Sequence, residues 1–292
     1  MQGILVVNAF WKGASMKEME GQLCRAAKEK GIQLQVRTNA ELMCMLPPVA
    51  PLSEEEADFY LFWDKDVRLA MQLEMLGKRL FNPAKAIALC DDKTLTHLAL
   101  AKEDIPMPQT ILCPQTFPSL GYPETDFLSR AGKALSWPLI IKEGCGSFGQ
   151  QVYLAKDENE AAAILQKAAG VPLLFQQYIR ECKGQDIRLY MVGGKCVAAM
   201  RRVNEADFRA NIQIGGHAEA YTPTQEEIAL AQKACRALSL DFAGVDLLQS
   251  EQGPLLCEVN SNAHFTALAA LTGEDVAGAI FDHIREELCA AG

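Results

Sequence analysis

The sequence predicts an α+β protein whose N-terminal part is of the α/β type. Three observations support this fold class: a strand–helix–strand pattern at the N-terminus, a glycine-rich loop between two strand-like segments, and two strand hairpins in the last third of the chain. Their positions divide the 292 residues into three predicted domains, at 1–85, 86–175 and 176–292. A chain of this length can bury a sizeable core.

The first domain is predicted to be Rossmann-like. Its apolar runs and turn residues predict strands at 3–8, 32–37 and 59–63, a helix at 15–30 that Gly31 closes, and a helix that ends near Leu80. The turn after the first strand lacks the glycine-rich sequence of a dinucleotide site. We therefore do not predict an NAD-binding domain.

The second domain is predicted to combine helices and strands around a glycine-rich loop. The expected elements are a helix through 91–94 to Asp104, strands at 138–143 and 151–154, a helix from Asp157 and a strand at 171–175. Pro106 and Pro108 end the first helix, because proline has no backbone N–H to donate.

The third domain is predicted to be built on two hairpins. One joins strands 187–192 and 195–200 through the glycine pair 193–194, and the other joins strands 242–248 and 254–260. Between them, Thr222 and Gln225 match a capping box with Pro223 at the first helical position, which predicts a helix to about Ser239. A C-terminal helix follows.

Composition and charge exclude two classes of partner. The formal net charge is −9 and no Lys/Arg-rich run is present, whereas nucleic-acid-binding proteins show a basic stripe. No stretch approaches the roughly 20 apolar residues of a membrane helix. The ten cysteines are scattered singly, and the N-terminus lacks the basic region of a signal peptide. We therefore expect a cytoplasmic protein with reduced thiols and neither nucleic-acid nor membrane partners.

The second hairpin places oxygen ligands together. Asp246 falls roughly opposite Glu258 across the turn, and strand alternation puts Glu258 and Asn260 on one face. Mg²⁺ takes such oxygens together with substrate phosphates, and two carboxylates among apolar residues need a cation. The alternative is a solvated face of an edge hairpin. The apolar residues on both strand faces favour the metal site.

The glycine-rich loop, GCGSFG at 144–149, matches a pattern that several nucleotide-binding folds share. A dinucleotide loop leads into a helix, whereas residues 150–154 predict a strand, so the loop is typical of a flap whose N–H groups cover phosphates. A protein-kinase flap precedes its phosphate lysine, but Lys142 comes before this loop, and both the H-R-D and Walker A sequences are absent. A plain glycine turn is the remaining alternative.

In this order, these segments resemble the ATP-grasp superfamily and, within it, the RimK-type amino-acid ligases. The resemblance covers about residues 85–290 and is densest in FQQYIRECKGQDIRLYMVGGKCVAAMRR, ADFRANIQIGG and AGVDLLQSEQGPLLCEVNSN. It implies the ATP-grasp fold with ATP between the central and C-terminal domains. It also implies Mg²⁺ as cofactor, with Mn²⁺ as the alternative ion. The first 80 residues resemble the family only in outline.

The resemblance assigns roles to residues at matching positions. Contacts to ATP are implied for Lys93 and Lys142 at the phosphates, Gly146, Ser147, Phe148 and Gly149 in the flap, Gln177, Tyr178 and Ile179 at the adenine, and Asp186 at the ribose. The implied metal ligands are Asp246, Glu258 and Asn260. The implied catalytic residues at the reacting centre are Arg202, Arg209 and Asn211, with Arg188 close by.

The implied reaction is ADP-forming amide ligation. The γ-phosphoryl group moves to a carboxylate, and the amine of an amino acid, with glutamate expected, attacks the acylphosphate; lysines, arginines and magnesium suit this chemistry. The carboxylate belongs to a small molecule, a peptide or a protein C-terminus. An ATP-grasp kinase and a non-catalytic ATP sensor remain alternatives. Family members often associate, so a homo-oligomer is also left open.

Residues 261–265, SNAHF, depart from the proline–glycine turn of the better-known RimK members. This segment faces the amino acid in such ligases, so we expect Ser261, Asn262 and His264, together with Arg188, to contact substrate. The departure leaves the identity of both substrates open. Of the other aromatic residues, His97 is predicted to lie on a helix surface and Trp11 to serve in packing.

Overall fold

The computed structural model of the protein describes residues 1–47, 49–52 and 56–291. Within these ranges the strands form three larger sheets and one two-stranded hairpin. Helices pack on the sheets, and this mixture confirms the predicted α+β class. In the part of the chain so described, no helix is both long and apolar enough to cross a lipid bilayer.

A parallel sheet organises the N-terminal region. Its elements in chain order are β1 (Gln2–Val7), α1 (Ala14–Glu29), β2 (Gln33–Thr38), a separate hairpin of β3 (Cys44–Met45) and β4 (Ala50–Pro51), then β5 (Phe59–Phe62), α2 (Val67–Met75) and β6 (Leu80–Phe81). The strand order is β2-β1-β5-β6. The expected βαβ unit is present, and β5 is buried along its whole length, as its unbroken apolar run indicates. The second helix ends at Met75, not near Leu80, because Gly77 has a positive φ of 75° and the chain then enters β6.

Two short helices replace the single helix predicted to reach Asp104. Helix α3 spans Ala84–Asp91 and α4 spans Lys93–Leu100. Asp92 between them is extended, and its carboxylate accepts a hydrogen bond from the Thr94 backbone N–H at 2.8 Å. The prediction was wrong because Asp92 caps a new helix. As a result, Lys93 begins α4 and lies beside the glycine loop, donating its backbone N–H to the Gly144 carbonyl.

The central sheet is antiparallel and carries the glycine loop. Its elements are β7 (Thr110–Leu112), α5 (Phe127–Leu135), β8 (Leu139–Glu143), β9 (Val152–Ala155), α6 (Glu158–Lys167) and β10 (Leu173–Gln177), with the strand order β7-β10-β8-β9. The loop connects β8 to β9, so the predicted strand–loop–strand arrangement is confirmed. Helices α5 and α6 cover one face of this sheet through an apolar cluster.

The C-terminal sheet is antiparallel and contains both predicted hairpins. Its elements are β11 (Gln185–Val192), β12 (Lys195–Val203), β13 (His217–Ala220), α7 (Gln225–Ala237), β14 (Phe242–Ser250) and β15 (Gly253–Asn260), followed by α8 (Thr266–Thr272) and α9 (Val276–Ala291). The strand order is β13-β12-β11-β14-β15. The capping box of α7 is formed by Thr224 and Glu227, two residues later than predicted. The glutamate carboxylate also accepts from the Tyr221 hydroxyl, which favours this register over Thr222 and Gln225.

One face of the C-terminal sheet is apolar at one end and charged at the other. At one end, Tyr190, Val192 and Phe242 pack against α9 and the N-terminal sheet. At the other end the same strands present charged side chains, while α7 covers the opposite face. A single sheet therefore contributes both to the core and to a charged floor.

Asn82 connects the N-terminal region to the C-terminal sheet. Its side-chain amide donates to the carbonyls of Phe242 and Ser261 at 2.9 and 2.8 Å, and its oxygen accepts from the backbone N–H groups of Asp241 and Phe242. Asn82 is fully buried, so complete satisfaction of its amide avoids the cost of an unpaired buried polar group. This residue fixes the backbone on both sides of the β14–β15 hairpin.

Candidate active site

The floor of the site is a set of cross-strand ion pairs. Arg188 lies directly opposite Asp246 on neighbouring strands, and Asp186 lies opposite Arg202. Both pairs are bidentate, at 2.7 Å for Arg188–Asp246 and 2.6 Å for Arg202–Asp186. Arg202 also reaches Asp246 at 2.9 Å. Alternation brings these side chains to one face, so four charges form a single network.

Burial and pairing act against each other in this network. Burial by itself raises the pKa of Asp246, but Arg188 and Arg202 reverse that effect and hold the pKa below its usual range. Burial also raises the pKa of Asp186, and Arg202 only partly opposes it. The two carboxylates raise the pKa of Arg202 despite its burial. The guanidinium thus remains charged at the floor of the site.

A β-bulge directs Glu258 into the site. Asp246 pairs with Glu258 as predicted, but Leu247 pairs with Leu256, so Cys257 is an extra residue in β15. Leu256 faces the core under α7, and without the bulge Glu258 would face the same core. Strand alternation predicted that Glu258 and Asn260 share a face, and this is correct because the bulge at Cys257 precedes both residues.

Two buried lysines stand above this floor. Lys93 reaches Glu258 Oε1 at 3.2 Å and the Gly146 carbonyl at 3.2 Å. Lys142 on β8 contacts the Cys257 Sγ at 3.6 Å. Their side chains converge from two different elements on the region beneath the glycine loop. Two ammonium groups in that position can bind polyphosphate.

The glycine loop is held from both sides. Arg209 donates to the Gly149 carbonyl at 2.6 Å and forms an ion pair with Asp207 at 2.8 Å. Gly149 has a φ of 72°, and a Cβ there would lie 2.5 Å from the Asn211 Oδ1, so a side chain would not fit. Arg209 and Asn211 thus contact the loop directly, besides lining the cleft where the sequence places them.

An open cleft of about 730 Å³ lies between the central and C-terminal sheets. Its lining includes residues that the sequence assigned to adenine, ribose, phosphate and metal, namely Gln177, Tyr178, Ile179, Asp186, Lys142, Asp246 and Glu258. Residues 177–179 connect β10 to a 3-10 turn at Arg180–Cys182 and so form a hinge between the two sheets.

His97 and Gln176 were missed by sequence reasoning as parts of the site. His97 is buried, and the prediction of a surface position was wrong. Its Nδ1 contacts the Lys93 carbonyl at 2.8 Å, and its Nε2 contacts the Gln176 amide at 3.0 Å. The spacing of four residues from Lys93 was the available signal, because it places both side chains on one helix face.

Comparison with known proteins identifies the family. A model of the RimK-like ATP-grasp domain matches residues 90–284. The chain belongs to this family. Its fold, with the cleft between the central and C-terminal sheets, is the ATP-grasp fold that the resemblance implied.

Relatives of this ATP-grasp chain carry glutamate-ligase names. It is 37% identical over 223 residues to the "Probable alpha-L-glutamate ligase" of Parasynechococcus marenigrum, covering 75% of this chain and 46% of the relative. The chain thus spans about half the length of that relative. It is 36% identical over 225 residues to the "Ribosomal protein bS6--L-glutamate ligase" of Escherichia fergusonii, covering 75% of this chain and 72% of that protein.

Solved ATP-grasp structures share the fold over nearly the whole chain. A RimK domain protein from Sphaerobacter thermophilus superposes with a TM-score of 0.75 at 23% identity, covering 97% of this chain and 99% of the other. The D-alanine–D-alanine ligase from Bacillus anthracis, complexed with ATP, gives a TM-score of 0.75 at 18% identity, covering 100% and 98%. At these identities the similarity establishes the fold.

The segment that follows β15 in this ATP-grasp chain, where the sequence predicts substrate contacts, is partly to fully buried. Ser261 is buried and its carbonyl accepts from Asn82, whereas Asn262 is half-buried. His264 is half-buried, and its Nε2 is enclosed without a hydrogen-bond partner among the described residues. Burial and the nearby Arg188 lower the pKa of His264. The imidazole is therefore held in its neutral form.

The two carboxylates predicted to bind a metal, Asp246 and Glu258, are paired with positively charged protein side chains, which the sequence did not predict. The two carboxylates do not depend on a metal for neutralisation, because Arg188, Arg202 and Lys93 already pair with them. Within the described ranges no three His, Cys, Asp or Glu side chains group as a metal site. The Asn260 amide makes no hydrogen bond to a described residue, and the Glu258 side chain is 26% exposed. Their oxygens fit Mg²⁺, which completes its shell with phosphates and water.

Proposed function

We propose that this protein is an ATP-dependent ligase that joins a carboxylate to the amine of an amino acid, with glutamate the expected amino acid. The observation that carries the proposal is one cleft lined by the buried Lys142, the flap glycine Gly149 and the Arg–Asp floor, with a second buried lysine, Lys93, bonded to Glu258 of the same lining. Family membership supports the same chemistry. ADP and phosphate are the other products.

The proposed ATP position follows the lining of the cleft. Adenine lies at the hinge of Gln177, Tyr178 and Ile179, whose backbone groups read its edge. The triphosphate extends toward Lys93 and Lys142 under the flap. Asp186 accepts hydrogen bonds from the ribose hydroxyls, because Arg202 occupies only some of the lone pairs of its carboxylate. The three predicted domains, 1–85, 86–175 and 176–292, would each then contribute one wall of the site.

Glu258 and Asn260 are the proposed ligands with free oxygens, and Asp246 supports them from the floor. Bound Mg²⁺ supplies charge neutralisation for the phosphates and the developing acylphosphate. Mn²⁺ suits the same oxygen ligands. Lys93 bonds both Glu258 and the flap carbonyl of Gly146, so it holds the metal strand and the flap at a fixed separation.

The arginines perform the electrostatic part of the proposed reaction. The side chain of Arg188 is 15% exposed beside Asp246, so its guanidinium can contact a substrate carboxylate as well. Phosphoryl transfer to that carboxylate builds negative charge, and attack by the amine builds an oxyanion. Fixed guanidinium and ammonium groups stabilise both without reorganisation. The neutral His264 lies where the amine is expected.

The substrates are proposed by class. Among the relatives, one is named for the ribosomal protein bS6, and a structural neighbour is complexed with a precursor peptide. We therefore propose a carboxylate on a peptide, a protein C-terminus or a small molecule as acceptor, and a cytoplasmic location.

Glu258→Gln tests the proposed function. The change removes one metal charge at constant shape, so turnover should fall at least about 100-fold with the fold retained. The measurement is mass spectrometry of a cell extract incubated with enzyme, ATP and isotope-labelled glutamate, together with ADP release. Glu251→Gln on the exposed turn of the same hairpin is the matched control and should keep full activity.

Three outcomes would contradict this assignment. Full activity of Glu258→Gln would exclude the metal role of Glu258. A stable phosphorylated product that forms without any amine would identify a kinase instead. ATP binding without ADP release from any mixture of carboxylates and amino acids would favour a sensor.

A further inference from the structure

Three aromatic rings from separate segments meet at the flap side of the cleft. Trp11 belongs to the loop after β1, Phe148 to the flap, and His264 to the segment after β15. The ring centroids of Trp11 lie 6.2 Å from Phe148, in an edge-to-face arrangement, and 5.2 Å from His264. Phe148 and His264 are 6.4 Å apart. Each ring therefore contacts the other two, and we call this set the aromatic cluster.

The flap residue in this cluster has an unfavourable backbone conformation. Phe148 has a φ of 60°, a left-handed conformation that a bulky residue rarely adopts. The turn around Phe148 is closed by the Gln150 N–H, which donates to the Ser147 carbonyl at 3.3 Å, and Arg209 holds the next residue, Gly149. The contacts with Trp11 and His264 add to these bonds and act on the Phe148 ring at the tip of the flap.

A second contact joins the same two regions. Lys65, in the loop after β5, lies 3.4 Å from the Ser147 hydroxyl and forms an ion pair with Asp91 at 2.7 Å. The N-terminal sheet therefore contacts adjacent flap residues through two loops that leave its carboxyl edge. An open flap would lose both contacts at once.

We infer that Trp11 is a positioning residue that holds the closed flap against the substrate segment. The inference rests on the proposed ligase function and adds to it a role for the N-terminal domain. Because Trp11 contacts both Phe148 and His264, one side chain connects closure over the phosphates with ordering of the amine side. The aromatic cluster also covers the enclosed Nε2 of His264, which keeps water from that side of the cleft.

Exclusion of water matters for the proposed reaction. If water, rather than the amine, attacks the acyl carbon of the acylphosphate, the carbon–oxygen bond to phosphate breaks. The carboxylate and inorganic phosphate are then released, and ATP is consumed without an amide. A loosened aromatic cluster should therefore raise ADP release relative to amide formation.

Chymotrypsin cleavage after Phe148 tests the inference without requiring the substrates. Trp11→Ala should expose the flap tip and speed this cleavage about tenfold, because two ring contacts are lost. Trp11→Phe should restore most of the protection. Phe10→Ala is the matched control, since the Phe10 side chain is 83% exposed; it should cleave at the wild-type rate. Mass spectrometry of the fragment that begins at Gly149 gives the rate, with and without Mg·AMP-PNP.

The catalytic readout is the ratio of ADP released to amide formed. Trp11→Ala should raise this ratio several-fold, whereas Trp11→Phe and Phe10→Ala should keep it near one. Equal cleavage rates and ratios for Trp11→Ala and Phe10→Ala would overturn the inference, and so would a failure of Trp11→Phe to differ from Trp11→Ala. If the wild-type protein neither binds Mg·AMP-PNP nor releases ADP, the proposed function fails, whereas the cleavage comparison still decides the role of Trp11.

Discussion

The imidazole of His97 is enclosed between the first turn of α4 and the central sheet. Burial, followed by the charge of Lys142, lowers its pKa to about 4. The Nδ1 contact with the Lys93 carbonyl requires an N–H there, so Nε2 is left to accept from Gln176. A neutral His97 thus connects the helix that carries Lys93 with the strand that carries Gln176.

The lowered pKa of His97 predicts a loss of stability in mild acid. The unfolded chain binds a proton near pH 6.5 and the folded chain only near pH 4, so stability is fully present above pH 6.5 and declines as the pH falls toward 4. Between pH 7 and pH 5 the loss from this group is about 2 kcal/mol. Urea unfolding at both pH values should show a smaller loss for His97→Asn. The same loss as in wild type would exclude His97 as the source, and exposed His217→Asn serves as control.

At the level of elements, the flap depends on a residue from another sheet. Arg209 comes from the segment between β12 and β13, yet it donates to the carbonyls of Gly149 and Val152, on the far side of the cleft. Its ion pair with Asp207 lowers the pKa of that carboxyl and keeps the guanidinium oriented. The flap is therefore fixed at its C-terminal end by the C-terminal domain, and at its tip by the aromatic cluster.

Arg209→Ala should weaken ATP binding through this contact. Loss of a charged hydrogen bond, worth about 1.5–3 kcal/mol, should raise the KM for ATP at least about tenfold, because the flap no longer closes in place. Initial rates of ADP release against ATP concentration measure the effect. Arg236→Ala on the exposed side of α7 should leave the KM unchanged. An unaltered KM in Arg209→Ala would show that the flap closes without this arginine.

Elements with a strong local pattern were predictable, and their exact assembly was not. The apolar runs predicted β5 and both hairpins, and the pairing of Asp246 with Glu258 is confirmed. The predicted position of the capping box was wrong because Thr222 and Thr224 both begin a suitable pattern. Only the contact of Glu227 with Tyr221 distinguishes them. The aromatic cluster could not be predicted, because contacts between distant segments leave no periodic signal in the sequence.

At the level of the whole molecule, the cleft contains a buried positive charge without an anionic partner among the described residues, and a bound nucleotide should neutralise it. Lys142 is buried, and its hydrogen bond among the described residues is a long contact to the Cys257 sulfur. A buried ammonium without a carboxylate in contact destabilises the ligand-free protein. Bound phosphates would supply the missing partner, so folding stability and nucleotide binding are linked.

Lys142→Met should therefore have opposite effects with and without nucleotide. Without ligand, the variant should have a higher Tm than the wild type, because an apolar side chain replaces a buried charge. With Mg·AMP-PNP at 100 times its Kd, the wild type should gain about 2.7 kcal/mol and the variant almost nothing. Thermal unfolding measures both, and exposed Lys133→Met on α5 is the control. A lower Tm of the ligand-free variant would contradict the argument.

Asn82 holds the main chain after β15 independently of the side chains that follow. It bonds to the main chain of Ser261 and Phe242, so it fixes the course of the segment after β15 without constraining which side chains that segment carries. Under the proposed function, substitutions at positions 262 and 264 should change what a substrate contacts while β15 stays in place. We expect that single replacements after β15 can change the substrate preference and leave the proposed nucleotide site intact.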